Sequence, residues 1–418
     1  MNILMILSSF EWGEKGYYYP LIKALKAKGH MFTVISGGGI HINILSKIGI
    51  KLYKCGLMHS RFYRPIRFCY YRWYFGFFLI VKRIMKMALL FPLWILWLIR
   101  TLIIVKQRKI NIIHTNGIGP HILGFLCAKL INIPMTIWVA DSSPTDLNPK
   151  LFRIIYPVVK KVLPLCKESA DFATRGFEKG KDKMIIIGHP IDIDKFRPFS
   201  TKEKALYLKT LLNEGYLIEP STYKIVIVSR LDQRKIDLVF AGIKAVPMII
   251  TKIPNIQLII AGMGHCFQQI RSMAQAINNR YNKNIIVNMG YREDVNKIMN
   301  SADIVLAVGR TAIEAMACGK AVIIGGDKKG IDYSPYGGIV TKDNIQQCEN
   351  YLFTGRHTRE HINPQKIAQD CIKLLKNEDL RRRLGQFGRQ YVIRKFNIDK
   401  IAPLFEEIHI NATKCKKS

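Results

Sequence analysis

The sequence predicts an α/β chain built from two doubly wound, Rossmann-like domains. Two observations carry this expectation: short apolar strands alternate with helical stretches in two separate runs, and a polar stretch containing Pro198, residues 191–208, lies between them. Regular alternation of strand and helix favours a parallel sheet covered by helices on both faces. A third observation agrees: 418 residues suffice for two to three domains, and 49% hydrophobic residues for large cores.

The first run opens with NILMILSS, a buried strand. FEWGEKGYYYP reads as a loop, and its Gly13 and Gly16 make it the candidate phosphate loop of the first domain. LIKALKAKG is a helix ended by Gly29, and MFTVIS is the second strand. NIIHTN (111–116), the helix HILGFLCAKLI and MTIWVAD (135–141) continue the alternation. In the second run KIVIVS (224–229), IQLIIAG (256–262), NIIVNMG (284–290), ADIVLAV (302–308) and AVIIGG (321–326) are strands separated by helices. Two helices close the chain, DLRRRLGQFGRQYVIRKF and IDKIAPLFEEIHI. The expected boundaries are 1–192 for the first domain, 193–222 for a linker, 223–395 for the second domain, and 396–418 for a closing helix with a basic tail.

The charge is one-sided. Sixty-four Lys and Arg against 30 Asp and Glu give +34, and no acid occurs between Lys15 and Ala140. Such asymmetry marks a surface that meets a polyanion. ALLFPLWILWLIRTLIIV (88–105) is long enough to be considered as a membrane span. A single crossing, however, would divide the strands of one sheet between two compartments. Two readings remain, a helix buried in its domain and a helix dipping into the membrane interface. Trp94 and Trp97 suit headgroup depth, and Arg72, Arg83 and the aromatic–Arg run 61–78 suit anionic lipid. Single-stranded nucleic acid, stacking on the same aromatics, ranks below lipid because 88–105 adjoins them.

The nine cysteines are scattered, odd in number and without a CxxC pair, against a disulfide framework or a structural zinc site. No basic n-region or cleavage site marks a signal peptide. The expected location is cytoplasmic, peripheral on the inner face of the membrane.

Ligands of open parallel sheets bind at the carboxyl ends of strands, where helix N-termini present free N–H groups. Four such transitions stand out. VSRLDQRK places Arg230 and Lys235 beside a helix start, a cation pair for a diphosphate. AGMGHCF offers Gly262 and Gly264 for close backbone approach, and NMGYRED puts Tyr291 and Arg292 at a strand mouth. VGRTAIEAMACG places Gly309, Arg310 and Thr311 at a helix opening, with Glu314 one turn in among small apolar residues. A carboxylate there is expensive unless exposed, paired or bound; the small neighbours and adjoining strand argue against exposure, and a ribose hydroxyl pair would satisfy it, with Arg230 or Lys235 near enough to keep it ionised.

In order and spacing, IVIVSRLDQRK, LIIAGMGHCF, VNMGYREDVNKIMNSADIVLAV and IEAMACGKAVI resemble the donor half of glycosyltransferase family four, of GT-B fold. The resemblance extends over most of the chain and implies two domains facing across a cleft, with the last helix crossing back to the first. It implies metal-independent, cofactor-free transfer from a nucleotide sugar, retention being the commoner outcome. Arg230 and Lys235 match the diphosphate pair, Glu314 matches the ribose-holding carboxylate of Glu-x7-Glu, and Tyr291 and Arg292 fall in the base loop. The first carboxylate of that motif falls on Leu306, and Gly309–Thr311 replace the usual sugar-contacting loop. His114 and Asp141 are left as strand-end candidates to position an acceptor hydroxyl. The expected partners are a nucleotide sugar, an anionic membrane and a lipid-linked or glycan acceptor. An inactive scaffold of the same fold and a sugar-nucleotide epimerase are the alternatives.

Overall fold

Asn2–Leu7 forms strand β1, buried from Ile3 onward. A strand apolar on both faces needs cover on both, which a parallel sheet between helix layers provides. The computed structural model describes residues 1–10, 12–58, 91–140, 147–328 and 331–414. The chain divides into two units, Met1–Pro190 with Asp399–Ser418, and Ile191–Ile398.

The first unit continues with α1 (Trp12–Ala27), β2 (Met31–Ser36), α2 (Asn43–Lys47), β3 (Lys51–Lys54) and α3 over 91–107. It then runs through β4 (Ile112–Asn116), α4 (Ile118–Ile131), β5 (Met135–Val139), α5 (Pro149–Ile155), β6 (Val159–Pro164) and α6 (Lys167–Ala173). The parallel sheet has the order β3-β2-β1-β4-β5-β6. Gly13 and Gly16 lie inside α1, not in a loop. Tyr17, Tyr18, Leu21, Ile22 and Leu25 are all buried on one helical stripe, and that packing outweighs the poor propensity of two glycines and Pro20.

The second unit holds α7 (Thr201–Asn213), β7 (Tyr223–Val228), α8 (Ile236–Ile250), β8 (Ile256–Ala261), α9 (Phe267–Tyr281), β9 (Ile286–Gly290), α10 (Val295–Ser301), β10 (Ile304–Ala307) and α11 (Arg310–Ala317). There follow β11 (Ala321–Gly325), β12 (Tyr336–Ile339), α12 (Ile345–Asn350), α13 (Pro364–Leu375) and α14 (Glu378–Lys395). The order β12-β11-β10-β7-β8-β9 repeats that of the first sheet, with its last strand antiparallel at the edge. The stretch 193–222 is not a free linker. Phe196, Tyr207, Leu208, Leu211 and Ile218 are buried in the core of this unit, and Ser200 and Glu203 form a capping box that starts α7. Its Lys- and Glu-rich outer face hides that stripe in the sequence.

The closing helix, α15 (Ile398–Lys414), belongs from Asp399 on to the first unit. Phe405 and His409 are buried there beside His114, and Glu406 pairs with Lys28 and His30, each at 2.7 Å.

Candidate functional site

In the second sheet strand order reverses between β7 and β10. A crevice opens at such a switch point, at the carboxyl ends of the strands. Arg230 and Lys235 follow β7, and Gly309 follows β10. Gly309 has φ +68° and precedes α11, and a Cβ built on it would stand 3.9 Å from Lys235 Nζ. The ammonium therefore lies beside a helix N-terminus, whose opening amides have no intrahelical acceptor. Burial pushes Lys235 down to about 8, opposed by Asp327 and assisted by Arg234 and Arg230. Arg230 is exposed and faces Asp232 at 3.5 Å. The sequence-predicted cation pair and the α11 opening thus come together.

Glu314 is 7% exposed. Its partner is Arg310, one turn earlier on the same helix, which donates from Nε to Oε1 at 2.7 Å. The expected partners were Arg230 or Lys235; the structure assigns the ion pair to Arg310. The Nη1 of Arg310 is buried and has no hydrogen-bond acceptor among the described residues. Thr311 is committed locally, its hydroxyl accepting from Val308 N–H at 3.2 Å and donating to Val308 C=O at 3.1 Å. Leu306 lies within β10, 1% exposed, in the apolar core beneath α8. Counting back eight residues from Glu314 thus reaches the strand interior. Only Val308 and Gly309 separate β10 from α11, too short a connection to carry a further acid over the crevice.

Gly262 and Gly264 approach backbone. A Cβ at Gly262 would stand 1.9 Å from Ser229 O, and one at Gly264 would stand 2.3 Å from Leu231 O. They let the end of β8 pack directly under the loop that carries Arg230. Arg292 is taken up by ion pairs, with Asp294 at 2.8 Å and Glu214 at 2.5 Å, and lies over the Tyr216 ring. Tyr291 is 42% exposed, and its hydroxyl donates to Glu293.

Sequence reasoning passed over a buried network beside the clamp. Asp327, just after β11, accepts two hydrogen bonds from Arg234, Nε to Oδ1 at 2.8 Å and Nη2 to Oδ2 at 2.9 Å. Arg356 adds a third cationic contact at 3.7 Å. Burial alone would raise the Asp327 carboxyl, but Arg234, Lys235 and Arg356 hold it well below the usual range. The available signal was Asp327 itself, an acid directly after the apolar run AVIIGG.

In the first unit His114 is fully buried in β4. Its Nδ1 meets Thr136 Oγ1 at 2.8 Å, and the same hydroxyl meets His409 Nε2 at 3.0 Å. Burial, then His409 and His121, hold His114 well below the usual histidine range. It sits against the rings of Tyr18, Trp138 and Phe405, inside the unit. The structure thus makes His114 a core residue, where the sequence offered it as a strand-end group to position an acceptor hydroxyl. Asp141, Arg72 and Arg83 lie outside the described residues.

Trp94 and Trp97, expected at the membrane, pack against the core of the first unit, and Arg100 lies 4.8 Å from the Trp97 ring. The opposite face of α3 is the exposed one: Phe91, Leu93, Ile95, Leu96, Ile99 and Ile103 are 44–64% exposed. Among the described residues no helix is long and apolar enough to cross a membrane.

Residues 210–391 match the family described as "Glycosyl transferases group 1". Among curated proteins the chain is 24% identical over 334 residues to N-acetyl-alpha-D-glucosaminyl L-malate synthase of Bacillus anthracis, covering 75% of this chain and 78% of that one. It is 23% identical over 216 residues to UDP-Gal:alpha-D-GlcNAc-diphosphoundecaprenol alpha-1,3-galactosyltransferase of Escherichia coli, covering 48% and 52%. Among solved structures it is similar to a glycosyltransferase from Rickettsia africae, with TM-score 0.69, 19% identity and coverage of 100% and 99%. It is also similar to Anabaena HepE in complex with UDP, with TM-score 0.67, 15% identity and coverage of 97% and 99%. The two units have the GT-B fold.

Proposed function

We propose that the chain, whose residues 210–391 match the glycosyl transferases group 1 family over most of its second unit, moves a sugar from a uridine diphosphate donor to a membrane-associated acceptor. The observation that carries the donor half is the Lys235 ammonium beside the α11 opening, at the point where strand order reverses. Arg230, Arg234, Lys235, Arg310 and Arg356 outnumber Asp232, Asp327 and Glu314 by two charges, which suits a diphosphate. Cations and helix N–H groups aimed at the departing diphosphate stabilise the charge that develops as the glycosidic bond breaks. On this reading the transfer is metal-independent and retaining, with Glu314 accepting the ribose hydroxyls.

Two features support a membrane acceptor. The outer face of α3 offers an apolar stripe that runs into exposed Lys106, Arg108 and Lys109. An apolar helix face ending in cations suits an anionic bilayer surface. The E. coli relative is named for a diphosphoundecaprenol-linked acceptor, whereas the Bacillus one is named for malate. On this reading α3 supports a lipid-linked glycan precursor as acceptor, met at the inner face of the membrane.

The test combines binding and turnover. Purified protein should be stabilised thermally by UDP more than by uridine, and should release UDP from one UDP-sugar only when lipid-linked acceptor is present in anionic vesicles. UDP binding without turnover against a panel of donors and lipids would favour a non-catalytic scaffold; no stabilisation by any nucleoside diphosphate would remove the donor site altogether.

A further inference from the structure

We propose that Asp327 is the positioning residue of the donor clamp, a buried carboxylate that ties the loop 230–235 down through Arg234 and keeps Lys235 available as a cation. The inference rests on the donor-site reading above and adds a residue that does not itself touch the ligand.

The geometry is specific. Arg234 immediately precedes Lys235, and its planar fork meets Asp327 with two bonds of 2.8 and 2.9 Å. A bidentate pair of this kind fixes direction as well as distance. Asp327 is 2% exposed, so the pair anchors the loop to the carboxyl end of β11 from within. Arg356 reaches the same carboxylate from the loop after α12.

A lysine set among arginines in a partly buried pocket tends to lose its proton. The charged groups that act on Lys235 are Asp327, Arg234, Arg230 and Asp232. Asp327 is the larger of the two acidic influences, and both nearby arginines oppose it. The lysine's ordinary value is already lowered to about 8. Without Asp327 it would release its proton at lower pH and lose its hold on a diphosphate.

The experiment follows Lys235 directly. The pH dependence of its acylation, read by peptide mass spectrometry on the full-length protein without ligand, gives its titration midpoint. UDP affinity is measured by calorimetry between pH 6 and pH 9 in parallel. In Asp327→Asn the midpoint should fall, and UDP binding should weaken roughly tenfold at pH 8 while staying near wild type at pH 6, since one unit of pKa is a factor of ten. In Arg234→Met the midpoint should rise, because a like charge has been removed. Loss of packing alone would move the two variants the same way, so opposite displacements are the signature.

An unchanged midpoint in Asp327→Asn, or a loss of UDP affinity equal at all pH values, overturns the proposal. If Asp327→Asn does not fold, Asp327→Ser, which also removes the carboxylate, takes its place, and an unchanged midpoint there overturns the proposal. If wild-type protein binds no UDP but the midpoints still move in opposite directions, Asp327 holds its role and the donor-site reading is what fails.

Discussion

Arg310 donates from Nε to the Glu314 carboxylate at 2.7 Å, one helical turn apart, so the acid buried in α11 is neutralised by its own helix. Arg310 opens the helix and Glu314 stands one turn further in, beyond the first turn where the helix dipole acts, so the guanidinium is what compensates the carboxylate. Breaking a buried ion pair leaves one charge stranded, whereas replacing both partners removes the problem. Arg310→Met should therefore destabilise the second unit by roughly 2–3 kcal/mol, and Arg310→Met with Glu314→Met by less. Denaturant melts of the two single variants and the double variant measure this coupling.

Glu314→Ala addresses ligand rather than fold. If the carboxylate accepts two ribose hydroxyls, its loss should weaken UDP by roughly 10- to 100-fold, as expected for hydrogen bonds to a charged group. Binding of inorganic pyrophosphate should be far less affected. Titration calorimetry with both ligands checks it, and equal losses for the two would place Glu314 away from the pentose.

Gly264→Ala tests the support under the clamp. An added Cβ would stand 2.3 Å from Leu231 O and 2.5 Å from Leu231 C, both backbone atoms that cannot rotate away. The loop must shift, and overpacking of this kind costs about 1–3 kcal/mol. A lower melting temperature together with weaker UDP binding is expected. Weaker stability with unaltered binding would separate this glycine from the site.

The apolar face of α3 predicts a lipid phenotype with little effect on folding. Ile95 and Ile99 are 44% and 50% exposed. Ile95→Glu with Ile99→Glu should reduce co-sedimentation with anionic vesicles at least about tenfold, since burying one such side chain contributes about 1.5–3 kcal/mol. The melting temperature and UDP affinity should stay near wild type. Retained vesicle binding would point the membrane contact elsewhere.

The first unit should lose stability in acid. His409 is held at about 4 by burial, against an unfolded value near 6.5, and His114 is also well lowered. Unfolded chains therefore take up protons that the native interior refuses. The stabilisation is complete above about pH 6.5 and is lost as pH falls toward 4, on the order of 3 kcal/mol from His409 alone. Chemical denaturation at pH 7, 6, 5 and 4 follows it, and His409→Gln should flatten the dependence.

Much of the fold was legible because buried parallel strands leave unbroken apolar runs, and NILMIL and IQLIIA are such runs. β12, short, glycine-rich and antiparallel, leaves none. The cation pair of Arg230 and Lys235 was legible from its place after a strand. The network around Asp327 was not, because Arg234 and Asp327 meet across 93 positions and no spacing rule links them. His114 was offered for an acceptor hydroxyl because the carboxyl end of a parallel strand is where ligands bind. Only the return of α15, which brings His409 against Thr136, shows that it faces inward. The α7 stripe was masked by a charged outer face, and the α1 glycines by their composition.

That return of α15 also sets an order of events during synthesis. Thr136 and His409 stand 273 positions apart, and the whole of the second unit is translated between them. The second unit can close on itself while still near the ribosome, since its residues are contiguous. The first unit, although translated earlier, must wait for the final seventeen-residue helix before its polar centre is satisfied. Nascent chains stalled ahead of residue 399 should thus carry a finished later half and an unfinished earlier one, which makes the first unit the natural substrate for chaperones.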